Sequence, residues 1–343
     1  MTIKEIAKQA NVSIGTVDRV LHNRGRVSNK TRETIKKIIK QSDYKPNIFA
    51  HHLKTAKNFT FAVLMPEASQ ESNFWEATTK GIDKAQNELR LYKIKIKYFY
   101  YDRFSEESFK TVSERMLKSE INGILLAPVI YDLCREFIKK IPENIPFVFF
   151  NANIPDSKAI SFIGQDPYQS GVVAAKLMSI MLKEKGEIAV IQGGSKSEYH
   201  HIERVRGFET FFKDNKDYSI MVYNLVGHPD KKWFYEVMDK IYFENKNLTG
   251  IFATSALTHY AAEYIKTKYT GKKIYLIGYD LVAENTALLN EGIIDFLINQ
   301  KIEEQGFRGI YALYKNLILH EKTEKEFLMP IDIITRENLN YYK

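Results

Sequence analysis

The 343-residue chain is poor in residues that staple, stiffen or break a backbone: it has one cysteine, nine prolines and 17 glycines. The lone Cys134 excludes an intrachain disulfide and any sulfur-rich metal site, so a reducing cytoplasm is the natural compartment. The low glycine and proline content excludes collagen-like and low-complexity readings. No stretch approaches the ~20 apolar residues of a membrane span. The N-terminus, MTIKEIAKQANVS, lacks the unbroken apolar core of a signal peptide. Neither secretion nor membrane insertion is expected. What is present, 44% apolar and 27% charged residues, suits two or three soluble domains of roughly 100–200 residues each.

The net charge of +8 is unevenly spread. Residues 1–57 hold 13 Lys or Arg against four Asp or Glu, a net +9, which leaves −1 for the other 286 residues. A basic head on a neutral body is an electrostatic footprint for nucleic-acid phosphate. A lysine-rich solvated face is the alternative that charge alone leaves open. The head reads as three short helices. Thr2 and Glu5 form a capping box ahead of Ile3, Ile6, Ala7 and Ala10, and Asn11-Val12 makes a break. Ser13 caps a second helix running from Ile14 to about His22, and Ser28 caps a third with Ile35, Ile38 and Ile39 as its stripe.

Two helices about three residues apart suggest a helix-turn-helix, with the first turn of the second helix in the major groove. Arg19 can contact guanine bidentately, Ser13 and Thr16 can reach phosphate, and Ile14 can touch a thymine methyl. Gly15 brings no side chain. Thr2, His22 and Arg26 flank this set as further DNA-contacting candidates. A plain three-helix bundle with a solvated arginine is the competing reading. Asn47 can cap one or two further turns, which need a second copy or DNA to hold them. The adjacent His51 and His52 point to different helix faces and make no metal site.

The run TIKEIAKQANVSIGTVDRVLHNRGRVSNKTRETIKKIIKQSDYKPNIFAHHLK, residues 2–54, resembles the DNA-binding head and hinge helix of the lac repressor family. Its VS-x-x-TV-x-RVL core carries the resemblance. The resemblance implies a homodimer on a palindromic double-stranded operator, with Leu53 of the paired hinge helices wedged into the minor groove. Asp18 replaces the usual serine and Gly15 occupies a position often used for base readout, so no known operator carries over.

From Asn58 onward strand-like runs (Phe59–Met65, Ile94–Tyr101, Gly123–Ala127, Pro146–Phe150, Glu187–Gln192, Thr249–Ala253) alternate with helical segments. Such β-α repeats predict parallel sheets covered by helices, and their number predicts two lobes with ligand bound at the strand ends between them. The expected fold is therefore a small all-α helix-turn-helix head plus an α/β body of two doubly wound parallel-sheet lobes. The body resembles the type I periplasmic sugar-binding fold, and the ribose-binding-protein subgroup in particular. The resemblance rests on Asn73-Phe74-Trp75, Gly164-Gln165-Asp166, Arg204-Val205-Arg206-Gly207-Phe208, Gly278-Tyr279-Asp280, Asn290-Glu291-Gly292 and Gln300. It implies a ligand shell of Phe74, Trp75, Asp166, Arg204, Asp280 and Gln300, with Ser255 or Thr254 where relatives place an asparagine; Asn151, at the end of the Phe147–Phe150 strand, is a candidate replacement polar group. It also implies domains at 1–46 (helix-turn-helix), 47–57 (hinge) and 58–343 (effector domain). Within the last, the first lobe takes about 58–184 and 301–326, and the second about 185–300 and 327–343. The bland alternatives are that Phe74 and Trp75 are core, Asp166 only caps a helix, and Arg204 is solvated.

No nucleophile-base set is evident, so no catalytic residue is expected. Gly193-Gly194-Ser195-Lys196 lacks phosphate-loop spacing. His200 and His201 have no carboxylate at metal spacing, and Cys134 reads as helix core. No cofactor or metal is expected. The resulting expectation is a cytoplasmic, homodimeric, DNA-binding transcriptional regulator, a repressor, controlled by a hydroxylated small molecule such as a sugar. The alternatives are a transport-associated sugar-binding protein without a DNA role and a sugar-modifying enzyme.

Overall fold

Short helices with one apolar face bury it against one another, and the head is built this way. The structure, a computed structural model, describes residues 3–21, 25, 27–42, 58–193, 198–225, 231–268 and 272–342. The expected contacts at Thr2, His22, Arg26 and Leu53, the hinge 47–57 with His51 and His52, and Gly194-Ser195-Lys196 lie outside the described residues. Residue contacts separate the chain into two units, Met1–Lys57 and Asn58–Lys343. In the head, α1 (Ile3–Gln9), α2 (Ile14–Leu21) and α3 (Asn29–Gln41) share a core of Ile6, Ala7, Val17, Val20, Ile35 and Ile38. The hydroxyls of Ser13 and Ser28 accept from the amides of Thr16 and Thr31, each at 3.2 Å, and cap α2 and α3.

The body opens with β1 (Phe59–Pro66), α4 (Gln70–Glu88), β2 (Ile94–Tyr101), α5 (Glu106–Leu117), β3 (Gly123–Leu126), α6 (Tyr131–Ile138), β4 (Phe147–Phe150) and β5 (Ser161–Gly164). There follow α7 (Pro167–Met181), β6 (Gly186–Gln192), α8 (Tyr199–Phe212), β7 (Tyr218–Asn224), α9 (Lys231–Glu244) and β8 (Leu248–Ala253). The chain continues with α10 (Thr258–Lys268), β9 (Tyr275–Tyr279), α11 (Ala283–Asn290), β10 (Phe296–Asn299), α12 (Ile302–Leu317), β11 (Glu326–Leu328) and β12 (Asp332–Ile334).

One sheet has the order β11-β5-β4-β3-β1-β2 and the other β12-β10-β9-β8-β6-β7. All neighbours run parallel except the β10–β12 pair, which is antiparallel. The last six residues of β1, FAVLMP, are all buried, as a central parallel strand covered on both faces requires. Phe61 and Val63 face one side, with Ile82 and Ile310. Ala62 and Leu64 face the other, with Phe109 and Phe137. At the edge, β2 alternates buried with solvated positions and carries Lys95 and Lys97, a pattern that discourages pairing with another chain.

Two lobe boundaries differ from expectation. Helix α7, expected in the first lobe, belongs to the second: Ala174, Ala175 and Met178 pack with Ile188, Val190, Phe208 and Phe252. Gly171 on α7 has no room for a Cβ against the Arg204 carbonyl, nor Gly207 on α8 against that of Tyr168, so the two helices touch backbone to backbone. The last crossover falls after Leu328, not at 326/327, because β11 pairs with β5 and only β12 joins the second sheet. The chain thus crosses between lobes three times, near Gln165, Gln300 and Pro330. Gln165 ties these crossings together: its amide donates to the carbonyls of Asn299 and Pro330, both at 2.8 Å.

Gln165→Leu should strip these two part-buried carbonyls of their side-chain donor and lower unfolding free energy by about 1 kcal/mol. Urea unfolding measures this, and an unchanged midpoint would show that the crossings are held elsewhere.

Candidate functional site

Two surfaces carry the candidate chemistry. In the head, Ser13, Ile14, Gly15 and Arg19 are exposed along α2, with Thr16 half-buried beside them. Ile14 is 49% exposed and so is free to meet an apolar group. Gly25 lies behind Arg19: a Cβ there would stand 3.1 Å from the arginine Cδ.

In the body, the C-terminal ends of the strands from both lobes converge on one cavity, where open α/β sheets offer their ligand sites. Phe74, Trp75, Arg204, Ser255, Asp280 and Gln300 all line it. Asn151, the candidate replacement polar group, lines it too, as do Glu71, Arg103, Val129, Glu198, His200 and His201, none of which was in the expected shell. Asp166 does not. Its carboxylate caps α7 by accepting from Gln169 N at 2.9 Å, and the residue faces a neighbouring cavity. Its position just before Pro167, at the start of a helix, explains this placement.

Local backbone strain aims several of these groups. Glu71, Ser72 and Asn73 take left-handed conformations (φ 54°, 56° and 61°) before the regular part of α4 begins at Phe74. Asn151 at the end of β4 and Asp280 at the end of β9 do the same, with φ 66° and 69°. Such residues cost energy and concentrate at ligand sites. The left-handed turn brings Glu71 back to Trp75, whose indole N–H donates to its carboxylate at 2.9 Å.

The charged groups of the cleft are buried or nearly so, and each is hydrogen-bonded. Arg103 forms an ion pair with Glu71 of its own lobe. It also donates to both oxygens of Glu198 across the cleft, at 2.9 and 3.1 Å. Burial works against the charge of Arg103, but Glu71 and Glu198 outweigh it and push its pKa up. Arg204 lies 3.8 Å over the Tyr279 ring and donates to the Thr254 carbonyl at 2.7 Å. It donates also to Gln300, whose amide in turn donates to both oxygens of Asp280 at 3.0 and 2.9 Å. Burial is the main influence on Asp280 and, despite Arg204 and Gln300, raises its pKa to about 7. His200 and His201 are driven well below the usual histidine range, first by burial and then by neighbouring positive charge. Both are neutral. Three buried polar atoms around the cleft have no partner: Arg204 Nε, His200 Nδ1 and Asn151 Oδ1. The space left is about 20 Å³, enough for one water molecule. A sugar-sized ligand therefore enters only when the lobes part.

No carboxylate was expected near the paired histidines, yet Glu198 lies 3.4 Å from His201 Nε2, and the ligand atoms of Glu198, His200 and His201 fall within 4.8 Å of one another. Glu198 stands at the N-cap of α8, three positions before His201, so the ordinary i,i+3 spacing of a helix brings them together and the signal lay in the sequence. The trio suits a cation poorly. Both Glu198 oxygens are engaged by Arg103, His201 Nδ1 meets the Thr254 hydroxyl at 2.9 Å, and two guanidiniums stand nearby. Cys134, in the core of α6, is buried, and burial raises its pKa. Among the described residues, no helix is long and apolar enough to cross a membrane.

Two α/β lobes joined by three crossings, with a polar cleft at their strand ends, define a ligand-binding protein. The family model for a periplasmic binding protein domain matches residues 61–322, and that for bacterial regulatory proteins of the lacI family matches residues 2–47. The chain belongs to the periplasmic binding protein domain family and carries a lacI-family head. It is 26% identical to the transcriptional regulator MalR of Streptococcus pneumoniae serotype 4, over 63% of this chain and 64% of that relative, so the match spans just under two thirds of MalR. It is 24% identical to the ribose operon repressor of Lactococcus lactis subsp. lactis, over 98% of both chains. A crystal structure described as a LacI transcriptional regulator from Bacteroides fragilis superposes with a TM-score of 0.77 at 27% identity. That superposition covers 84% of this chain and all of the other.

Asp280 yields a pH test. A carboxyl raised from 3.8 to about 7 by folding contributes its stability fully at low pH and loses it as pH rises through about 7. Asp280→Asn removes that loss. The Tm of the variant relative to the parent should therefore climb from about pH 4 to about pH 7 and level off above, as scanning calorimetry would show. A difference independent of pH would mean that Asp280 is not held dry.

Proposed function

We propose that the chain is a transcriptional regulator, a repressor, that binds a palindromic operator as a homodimer and responds to a neutral, hydroxyl-rich effector, a sugar, in the cleft. The proposal places it in the cytoplasm and assigns it no catalysis. The DNA role is supported by the lacI-family match over residues 2–47 and by exposed Ser13, Ile14, Gly15 and Arg19 on α2 of a head whose segment carries +9. The regulators named among its relatives support the same reading.

One observation carries the effector reading: unpartnered polar atoms of Arg204, His200 and Asn151 surround the same cavity as Asp280, Phe74 and Trp75. Donors, acceptors and a carboxylate around aromatic rings suit a ligand whose hydroxyls both give and accept protons. Three carboxylates (Glu71, Glu198, Asp280) face two guanidiniums (Arg103, Arg204), so a phosphorylated ligand meets an unfavourable field. Opening and closing of the lobes would transmit binding to the head, with a coupling typical of such systems, about 1–3 kcal/mol.

Selection from random duplexes, followed by fluorescence anisotropy at rising salt, tests the DNA role. The parent should recover a palindrome and lose affinity steeply with salt. Arg19→Ala should cost about 1–3 kcal/mol and relax one base pair per half-site. Binding without sequence preference would contradict the assignment.

A further inference from the structure

Beside the central cleft lies a second cavity of about 180 Å³ that shares Asn151 and His200 with it. It forms where the chain leaves the first lobe, between Gln165 and Asp166 at the first crossing, Leu328 at the end of β11, and Tyr199 at the start of α8. Its volume equals roughly six waters at about 30 Å³ each, the scale of a sugar ring and far more than an ion needs. Phe162 and Leu328 give it apolar walls, and Asp166 and Glu326 give it carboxylates.

Of the buried polar atoms without a partner, Gln165 Oε1 belongs to this cavity alone, while Asn151 Oδ1 and His200 Nδ1 stand on the wall it shares with the central cleft. The Gln165 amide is fixed in orientation by its two bonds to Asn299 and Pro330, so its oxygen can only accept. A cavity rich in acceptors and carboxylates, with a buried aromatic wall, calls for a neutral ring bearing hydroxyl donors. Asp166, which did not join the central cleft, faces this cavity instead, with one carboxylate oxygen used for the helix cap.

We propose that this hinge-side cavity is a second sugar subsite, so that the effector is a two-ring saccharide with one ring in the central cleft and the other against Phe162, Asn151 and Gln165. The proposal rests on the sugar reading of the central cleft. Titration calorimetry on the full chain tests it, comparing D-glucose, D-galactose and D-ribose with maltose, lactose, cellobiose and trehalose.

At least one disaccharide should bind about tenfold or more tighter than its component monosaccharides. Leu328→Trp, which fills the second cavity from a partly exposed wall, should abolish that gain and leave monosaccharide affinity unchanged. Asn153→Phe fills the same cavity from another wall and serves if the first variant does not fold, with operator binding as the control. Monosaccharide binding with no disaccharide gain, or an equal loss for both classes in the filled variants, overturns the second subsite alone. Failure of every sugar overturns the sugar reading, and this proposal with it.

Discussion

Arg103 sits between two buried carboxylates, Glu71 from its own lobe and Glu198 from the other, and the closed cleft depends on that arrangement. Dry charges are tolerated only when paired and hydrogen-bonded, and removing one partner of a buried pair typically costs about 3–5 kcal/mol. Each member here has a second anchor. Glu71 accepts from Trp75, and the backbone N–H of Arg103 donates to Gln70 at 3.1 Å. Glu198 stands at the start of α8 beside His201. Its Arg103–Glu198 half forms only when the lobes are together, so closing the cleft is what gives Glu198 its cation.

A second chain of contacts links the cleft floor to the crossings. Arg204 and Asp280 meet through Gln300, and the Gln300 carbonyl accepts from the Gln305 amide at 2.8 Å. The Gln305 oxygen accepts from Asn151 N, also at 2.8 Å, at the end of β4, so the chain of bonds passes from the second lobe into the first. Side-chain amides suit this position because each both donates and accepts without adding charge. A ligand that takes Gln300's place on Asp280 or Arg204 disturbs bonds that reach the crossings between the lobes. Effector binding and lobe rotation thereby share the same few groups.

Much of this was legible in the sequence. The head's caps at Ser13 and Ser28 lie in a local pattern, and so do the apolar runs of the central strands. Arg204, Asp280 and Gln300 were reached through motif resemblance and meet in one network. Short strands were harder: Phe296–Asn299 and Glu326–Leu328 have four and three residues, too few to show a period. Helix α7 is apolar on most of its faces, so its sequence names no partner; the packing of Ala174, Ala175 and Met178 on the second lobe, together with the glycine contacts to α8, decides its place. Glu71, Arg103 and Glu198 escaped notice because their significance comes from meeting, and they lie up to 127 positions apart. Asp166 showed the converse: a residue in a ligand-like motif whose local role as a helix cap came first.

Cys134, the single native thiol, is buried, so spin labels can be placed at Glu107→Cys and Lys216→Cys, exposed positions on different lobes near the sheet edges farthest from the crossings. Pulsed electron paramagnetic resonance then reads the distance between lobes with and without Arg103→Met. If the charge bridge holds the cleft shut, the doubly labelled parent gives one narrow distance. The Arg103→Met form shifts to longer, broader separations as Glu71 and Glu198 seek water. An identical narrow distance in both would contradict the account.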